Sequence, residues 1–152
     1  FHSVPSHIKI VRWVPGPEMI SRSDCVVFHG GYTMMEVLMN NVPSVVIPFH
    51  SEQEYYGRRM EEAGVATVVP LSDEPYVRFL SRWKGGNRWL RAHEFTVHVK
   101  KRMTLKPETI RTAVDRCLND SAMKLSAQTI RKELDAYGGC EGAVNFIDKR
   151  IL

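Results

Sequence analysis

Short, unbroken apolar runs alternate with helical periodicity over the first seventy residues. Ile8-Lys9-Ile10-Val11, Cys25-Val26-Val27-Phe28, Ser44-Val45-Val46-Ile47 and Ala66-Thr67-Val68-Val69 each have the length of a buried strand. Between the first two, Pro15-Gly16-Pro17 turns the chain into a short helix ending near Ser23, with Pro17 suited to its first position. Residues 33–40 and Glu52 to Ala63 carry helical patterns, the second stopped by Gly64. Strands that are apolar along their whole length are covered on both faces. The pattern therefore predicts an α/β fold, a doubly wound parallel sheet with four recognisable strands. Residues 71–104 break the rhythm. From Pro107, placed for a first turn, Ile110, Ala113, Val114, Cys117 and Leu118 give one apolar helix face. Ala122 to Tyr137 follows as a second helix stopped by Gly138-Gly139, and Ala143 to Ile151 as a third. The expected organisation is a partial sheet core at 1–70, an insertion at 71–104, and C-terminal helices at 105–152 that belong to the same domain.

The 152 residues fit one domain, and a net charge of +4 is too small by itself to imply a nucleic-acid partner. Cys25, Cys117 and Cys140 form no CxxC pair and are odd in number, so reduced thiols in a cytosolic setting are the simpler reading. No apolar run is long enough to span a bilayer. The chain begins at Phe1 rather than Met and reads as a piece of something longer. Its insertion is basic, with eight Lys or Arg against three acids, and Tyr76, Phe79, Leu80 and Trp83 recur in it at helical spacing. That segment is either a solvated helical hairpin with its apolar stripe turned inward or a surface for anionic membrane, met through Arg78, Arg82, Trp83, Lys84, Arg88 and Trp89. A specific nucleic-acid role has no recognition helix or sheet-aromatic motif behind it.

The most informative stretch is Phe28 to Glu36, FHGGYTMME, at a strand–turn–helix junction. Adjacent glycines there allow a ligand close to the backbone and leave N–H groups for an anion. Glu36, one turn into the helix, suits a neutral hydroxyl-bearing group beside that anion. A diphosphate joined to a sugar fits this layout, and so does a plain packing turn. Met34, Met35 and Met39 are expected in helix packing. No Ser-His-Asp arrangement, HExxH or paired cysteine ligands occur, so no metal site is expected and the catalytic residues are unknown.

Trp13-Val14-Pro15, Asp24, His29-Gly30-Gly31, Thr33-x-x-Glu36, Val42-Pro43, Ile47-Pro48, Glu52-Gln53 and Gly64, in this order and spacing, resemble the donor-binding half of the two-Rossmann-domain (GT-B) glycosyltransferases that use nucleotide-activated sugars. Residues 107–137 and the Gly-Gly-x-x-Gly-Ala at 138–143 resemble that family's C-terminal end. The spacing from Gly30 through Thr33 to Glu36 matches the enzymes that add N-acetylglucosamine to the lipid-linked peptidoglycan precursor, and lacks one residue found in macrolide and glucuronosyl types. The resemblance implies that Trp13 lies on the nucleotide base, and that Gly30, Gly31, Tyr32 and Thr33, with His29 beside them, meet the diphosphate. Glu36 would then accept from the ribose, and Glu52 and Gln53 would hold the sugar. It implies a UDP-sugar as substrate and no cofactor. Beside these roles stand blander ones: Trp13 as a packing residue, His29 as a structural histidine, Glu52 as a complement to a helix dipole, Tyr55 and Tyr56 as helix packing.

This chain departs from the family pattern in several places. Gly16 stands where Gln is frequent, Asn41 where Gly is usual and where an αL backbone is expected, and Glu52 where Asp is frequent. The family's donor domain also has two further βα units, which in the usual strand order lie between the first two strands read here. The fold is thus expected to be incomplete at the N-terminus. The acceptor domain with its catalytic base would come from elsewhere in a longer protein or from a partner chain. Sugar transfer to an acceptor hydroxyl is the function implied, at a cytoplasmic site, either free or peripheral on the membrane inner face. A nucleotide-sugar epimerase and a non-catalytic partner subunit are the alternatives.

Overall fold

The fold, taken from a computed structural model, is described for residues 4–70 and 105–151, with Trp89, Ala92, His93, Thr96 and Met103 between them. Helix α1 (Gly16–Ser21) leads into β1 (Val26–Phe28), then α2 (Thr33–Met39), β2 (Ser44–Val46), α3 (Ser51–Glu62) and β3 (Ala66–Val68). Helices α4 (Pro107–Asn119), α5 (Ser121–Ala136) and α6 (Gly139–Ile151) follow. The strands form one parallel sheet in the order β1-β2-β3, with Val27 opposite Val45 and Val45 opposite Thr67.

Alternation along the strands sorts the core into two layers. Val46, Ala66 and Val68 face Ile20, Val37, Met60 and Ala127, on the side of α1, α2, α3 and α5. Val45 and Val69 face Ala113 and Cys117 of α4 and Met123 at the start of α5. Every residue of β2 and β3 is buried, including the polar Ser44 and Thr67, as expected of strands covered on both faces. Helix α3 sits close on the sheet because residue 57 is glycine: a Cβ there would lie 2.8 Å from Val46 Cγ1. Its buried face also carries Glu54, fully enclosed and ion-paired with Arg58 at 2.9 Å.

The helix punctuation follows the sequence closely. Gly64, at φ +71, ends α3, and Asn41, at φ +57, adopts the left-handed backbone between α2 and β2. Pro107 opens α4. The Asp120 carboxylate accepts from the Ala122 and Met123 N–H groups at 2.9 and 3.2 Å and caps α5. Gly138, at φ +71, separates α5 from α6, which Gly139 opens at φ +54.

One expected strand does not form. Ile8–Val11 is irregular and solvent-exposed, so three strands rather than four are present among the described residues. An apolar run becomes a strand only by pairing, and nothing among the described residues pairs with it. Val27, at the centre of β1, is 48% exposed for the related reason that, among the described residues, no strand or helix covers it there. Most of the 71–104 insertion, including Arg78, Arg82, Trp83, Lys84 and Arg88, lies outside the described residues; Trp89 is helical and exposed.

Candidate functional site

Parallel strands that are neighbours send their C-terminal loops to the same end of the sheet, where open α/β folds bind ligands. At this end β1 continues into His29-Gly30-Gly31-Tyr32 and β2 into Ile47-Pro48-Phe49-His50. The two glycines of the first loop serve different ends. Gly30 has φ +90, and a Cβ on it would lie 2.8 Å from the Gln53 carbonyl oxygen and 3.0 Å from Val46 Cγ1. Only a residue without a side chain lets the turn close against α3. Gly31 makes room for a side chain, since a Cβ there would lie 2.5 Å from His29 Nε2. The imidazole is therefore folded across the turn, with its ring 6.1 Å from that of Phe49 in the neighbouring loop.

The second loop is braced by Gln53, whose Oε1 accepts from the Phe49 N–H at 2.7 Å. The acceptor end of this amide is thus committed to the protein. Glu52, beside it in the first turn of α3, is exposed.

On the other side of the turn, the N–H groups of Met34 and Met35 donate to Gly31 and Tyr32 carbonyls at 2.9 and 3.0 Å. Tyr32 is 97% exposed and Thr33 partly buried. Glu36 projects toward the start of α1: a Cβ on Gly16 would lie 3.3 Å from its Oε2 and 3.6 Å from its Oε1. The absent side chain at Gly16 thus lets the carboxylate lie close against the start of α1. Three residues before Gly16, Trp13 is 78% exposed, so it is not a packing residue among the described residues.

The structure brings His29, Gly30, Gly31 and Gln53 together around one loop pair. Glu36, with Gly16 and the Trp13 segment, stands one helical turn away along α2. Tyr55 and Tyr56 pack edge to face on each other at 5.7 Å, each about two-fifths exposed. Sequence reasoning missed Phe49, whose ring and backbone link His29 to Gln53. It also missed Glu54, for which the Glu54–Arg58 spacing of four was the available signal. A small open cleft lined by Ser23, Asp24, Asn41, Pro43, Lys124 and Gln128 lies at the opposite end of the strands. Among the described residues no group of three His, Cys, Asp or Glu could hold a metal ion, and no helix is long and apolar enough to cross a membrane.

No protein-family model matches the chain. Over 71 residues, 46% of its length, it is 35% identical to the NDP-glycosyltransferase YjiC of Bacillus subtilis, and this stretch spans 18% of that relative. Among solved structures, the glycotransferase of kitacinnamycin superposes with a TM-score of 0.71 at 23% identity, over 98% of this chain and 31% of its own. Spinosyn forosaminyltransferase SpnP superposes at 0.64 and 17%, over 97% and 31%. The small parallel sheet with its helical C-terminal region is thus the fold of part of a GT-B glycosyltransferase. In sequence as in fold the chain is glycosyltransferase-like, and it spans under a third of the proteins it resembles.

Proposed function

We propose that this chain supplies the nucleotide-sugar site of a glycosyltransferase that moves a sugar from a UDP-sugar to an acceptor hydroxyl. The observation that carries the reading is the turn at the end of β1. Its two glycines, the imidazole folded over it and a carboxylate one helical turn further on match a diphosphate flanked by a ribose. In this reading the backbone of Gly30 to Thr33 and the His29 imidazole meet the diphosphate and stabilise the charge it gains as it leaves. Glu36 accepts from the ribose hydroxyls, Trp13 lies on the base, and Glu52 with the Gln53 NH2 group orients the sugar. No cofactor is needed, because the diphosphate is itself the leaving group.

The acceptor site and the base that activates the acceptor belong, in this proposal, to a domain outside these residues. β1 supports that view. Val26-Val27-Phe28 carries none of the charge or proline that blunts a free edge, so it has the chemistry of an interior strand. The N-acetylglucosaminyl preference rests on the Gly30–Thr33–Glu36 spacing alone. None of the three proteins named above carries that reaction in its name, and none is named an epimerase. UDP-N-acetylglucosamine is therefore the first donor to test rather than the conclusion.

Calorimetry on the full-length protein with UDP, UDP-N-acetylglucosamine and UDP-glucose tests the reading. Glu36→Gln keeps the size and removes the charge of the ribose acceptor, so UDP affinity is expected to fall about tenfold, about 1.4 kcal/mol. Absence of UDP binding, or equal affinity in the variant, would count against it. A peripheral membrane role for residues 78–89 belongs to the same proposal, supported by the 85% exposure of Trp89. Co-sedimentation with anionic but not neutral vesicles is its expected signature; equal, negligible binding to both removes it.

A further inference from the structure

The loop after β2 fixes an aromatic ring in the open. Phe49 is 49% exposed at the carboxyl end of the sheet. Its loop starts beside the turn after β1, since the Ile47 N–H donates to the Phe28 carbonyl at 2.8 Å. A single exposed aromatic is ordinary on a protein surface. This one differs in being held from three directions. Pro48 before it is fully buried, with φ set by its own ring. The Phe49 N–H donates to Gln53 Oε1 at 2.7 Å. The phenyl ring lies 6.1 Å from the His29 imidazole, tilted by 53°, within the range of aromatic pairs.

We propose that Phe49 is the residue on which one face of the donor's sugar ring rests. The inference depends on the nucleotide-sugar reading above, and it adds an apolar contact at the end of the ligand that the reading leaves to polar groups alone. The order of parts along the ligand carries it. Base, ribose, diphosphate and sugar are joined in line. With the diphosphate at the turn after β1 and the ribose at Glu36, which reaches toward the start of α1, the sugar leaves on the other side, toward the loop after β2. There the His29 ring is followed by Phe49, and Phe49 by Gln53.

The chemistry of a pyranose asks for such a neighbour. Its hydroxyls project from the rim and are served by groups such as Glu52 and Gln53, but water serves them nearly as well. Its faces carry C–H bonds polarised by the adjoining oxygens, and the negative face of an aromatic ring attracts them while shedding water from both surfaces. A ring already fixed in place loses little freedom when the sugar settles on it. Phe49 therefore adds affinity for the sugar and none for the bare nucleotide diphosphate.

The test is calorimetry on the full-length protein and its Phe49→Ala, Phe49→Leu and Phe49→Tyr variants, each checked for folding by circular dichroism. UDP, UDP-glucose and UDP-N-acetylglucosamine are the ligands. All three variants keep the N–H that Gln53 accepts, so the loop brace is unchanged. Ala and Leu are expected to weaken both UDP-sugars about three- to tenfold and UDP by less than about twofold, while Tyr, which keeps the ring face, stays near wild type. The proposal is overturned if Phe49→Ala leaves both UDP-sugars unmoved, if it weakens UDP as much as the UDP-sugars, or if Leu binds them as well as Tyr does. Wild-type protein that binds no UDP removes the donor-site reading itself, whereas UDP binding with unmoved UDP-sugar affinities removes the role of Phe49 alone.

Discussion

Replacing Gly30 with Ala tests whether the turn between β1 and α2 is closed against α3 as tightly as the distances say. Two costs are superimposed at this position. The backbone has φ +90, a region that an L side chain enters at a cost of about 1–2 kcal/mol. The new methyl would also stand 2.8 Å from a backbone oxygen and 3.0 Å from Val46, and relieving that overlap means moving the turn off α3, about 1–3 kcal/mol. The expected total, about 2–5 kcal/mol, is a large part of the stability of an ordinary domain. Gly139→Ala provides the reference. That residue has φ +54 and nothing within 4 Å of a built Cβ, so it carries the backbone cost alone, about 1 kcal/mol. The loss of unfolded-state freedom from Gly to Ala is common to both and cancels in the difference. Urea denaturation of the full-length protein, with m-values compared to confirm the same unfolding, gives both numbers. Equal destabilisation of the two variants would refute the close approach of the turn to Gln53 and Val46.

Gly31→Ala is expected to behave in the opposite way. Its methyl meets the tip of the His29 ring, which can swing aside, so stability should change by no more than about 1 kcal/mol while UDP affinity falls. Unchanged affinity in calorimetry would separate His29 from the diphosphate. Asp120→Ala removes the side-chain acceptor for two N–H groups at the start of α5 and should lower stability by about 1 kcal/mol, read from the urea midpoint, with nucleotide affinity unaltered.

How much was legible in the sequence depended on whether the cause was local. The βαβαβ order, the left-handed Asn41 and Gly64, Pro107 at its first-turn position and the Gly138-Gly139 stop were all readable, because each follows from a residue's own backbone preference or from apolar spacing. The Ile8–Val11 strand was misread for the opposite reason: apolar content is local, but a pairing partner is not. The same limit hid the packing of Cys25 against the apolar cluster that holds Cys117, which depends on strand register and helix placement across most of the chain. Gln53 illustrates a finer limit. Its position beside the site was visible, whereas the use of its carbonyl to hold Phe49 depends on a loop conformation that no spacing encodes.

The site and the core are joined through one side chain. Val46 Cγ1 is the near neighbour of both a Cβ built on Gly30 and one built on Gly57, at 3.0 and 2.8 Å. The valine at the end of β2 therefore sits between the turn after β1 and the middle of α3, and glycine is required on each side of it. This fixes how far the turn can stand from the Phe49 loop, since Gln53, which braces that loop, is one turn of α3 before Gly57. A shift of α3 relative to the sheet would move Gln53, then Phe49, then the His29 ring that leans toward it. The turn after β1 is thus held by the packing of a fully buried residue rather than by the two loops themselves, which are exposed at His29, Tyr32 and Phe49.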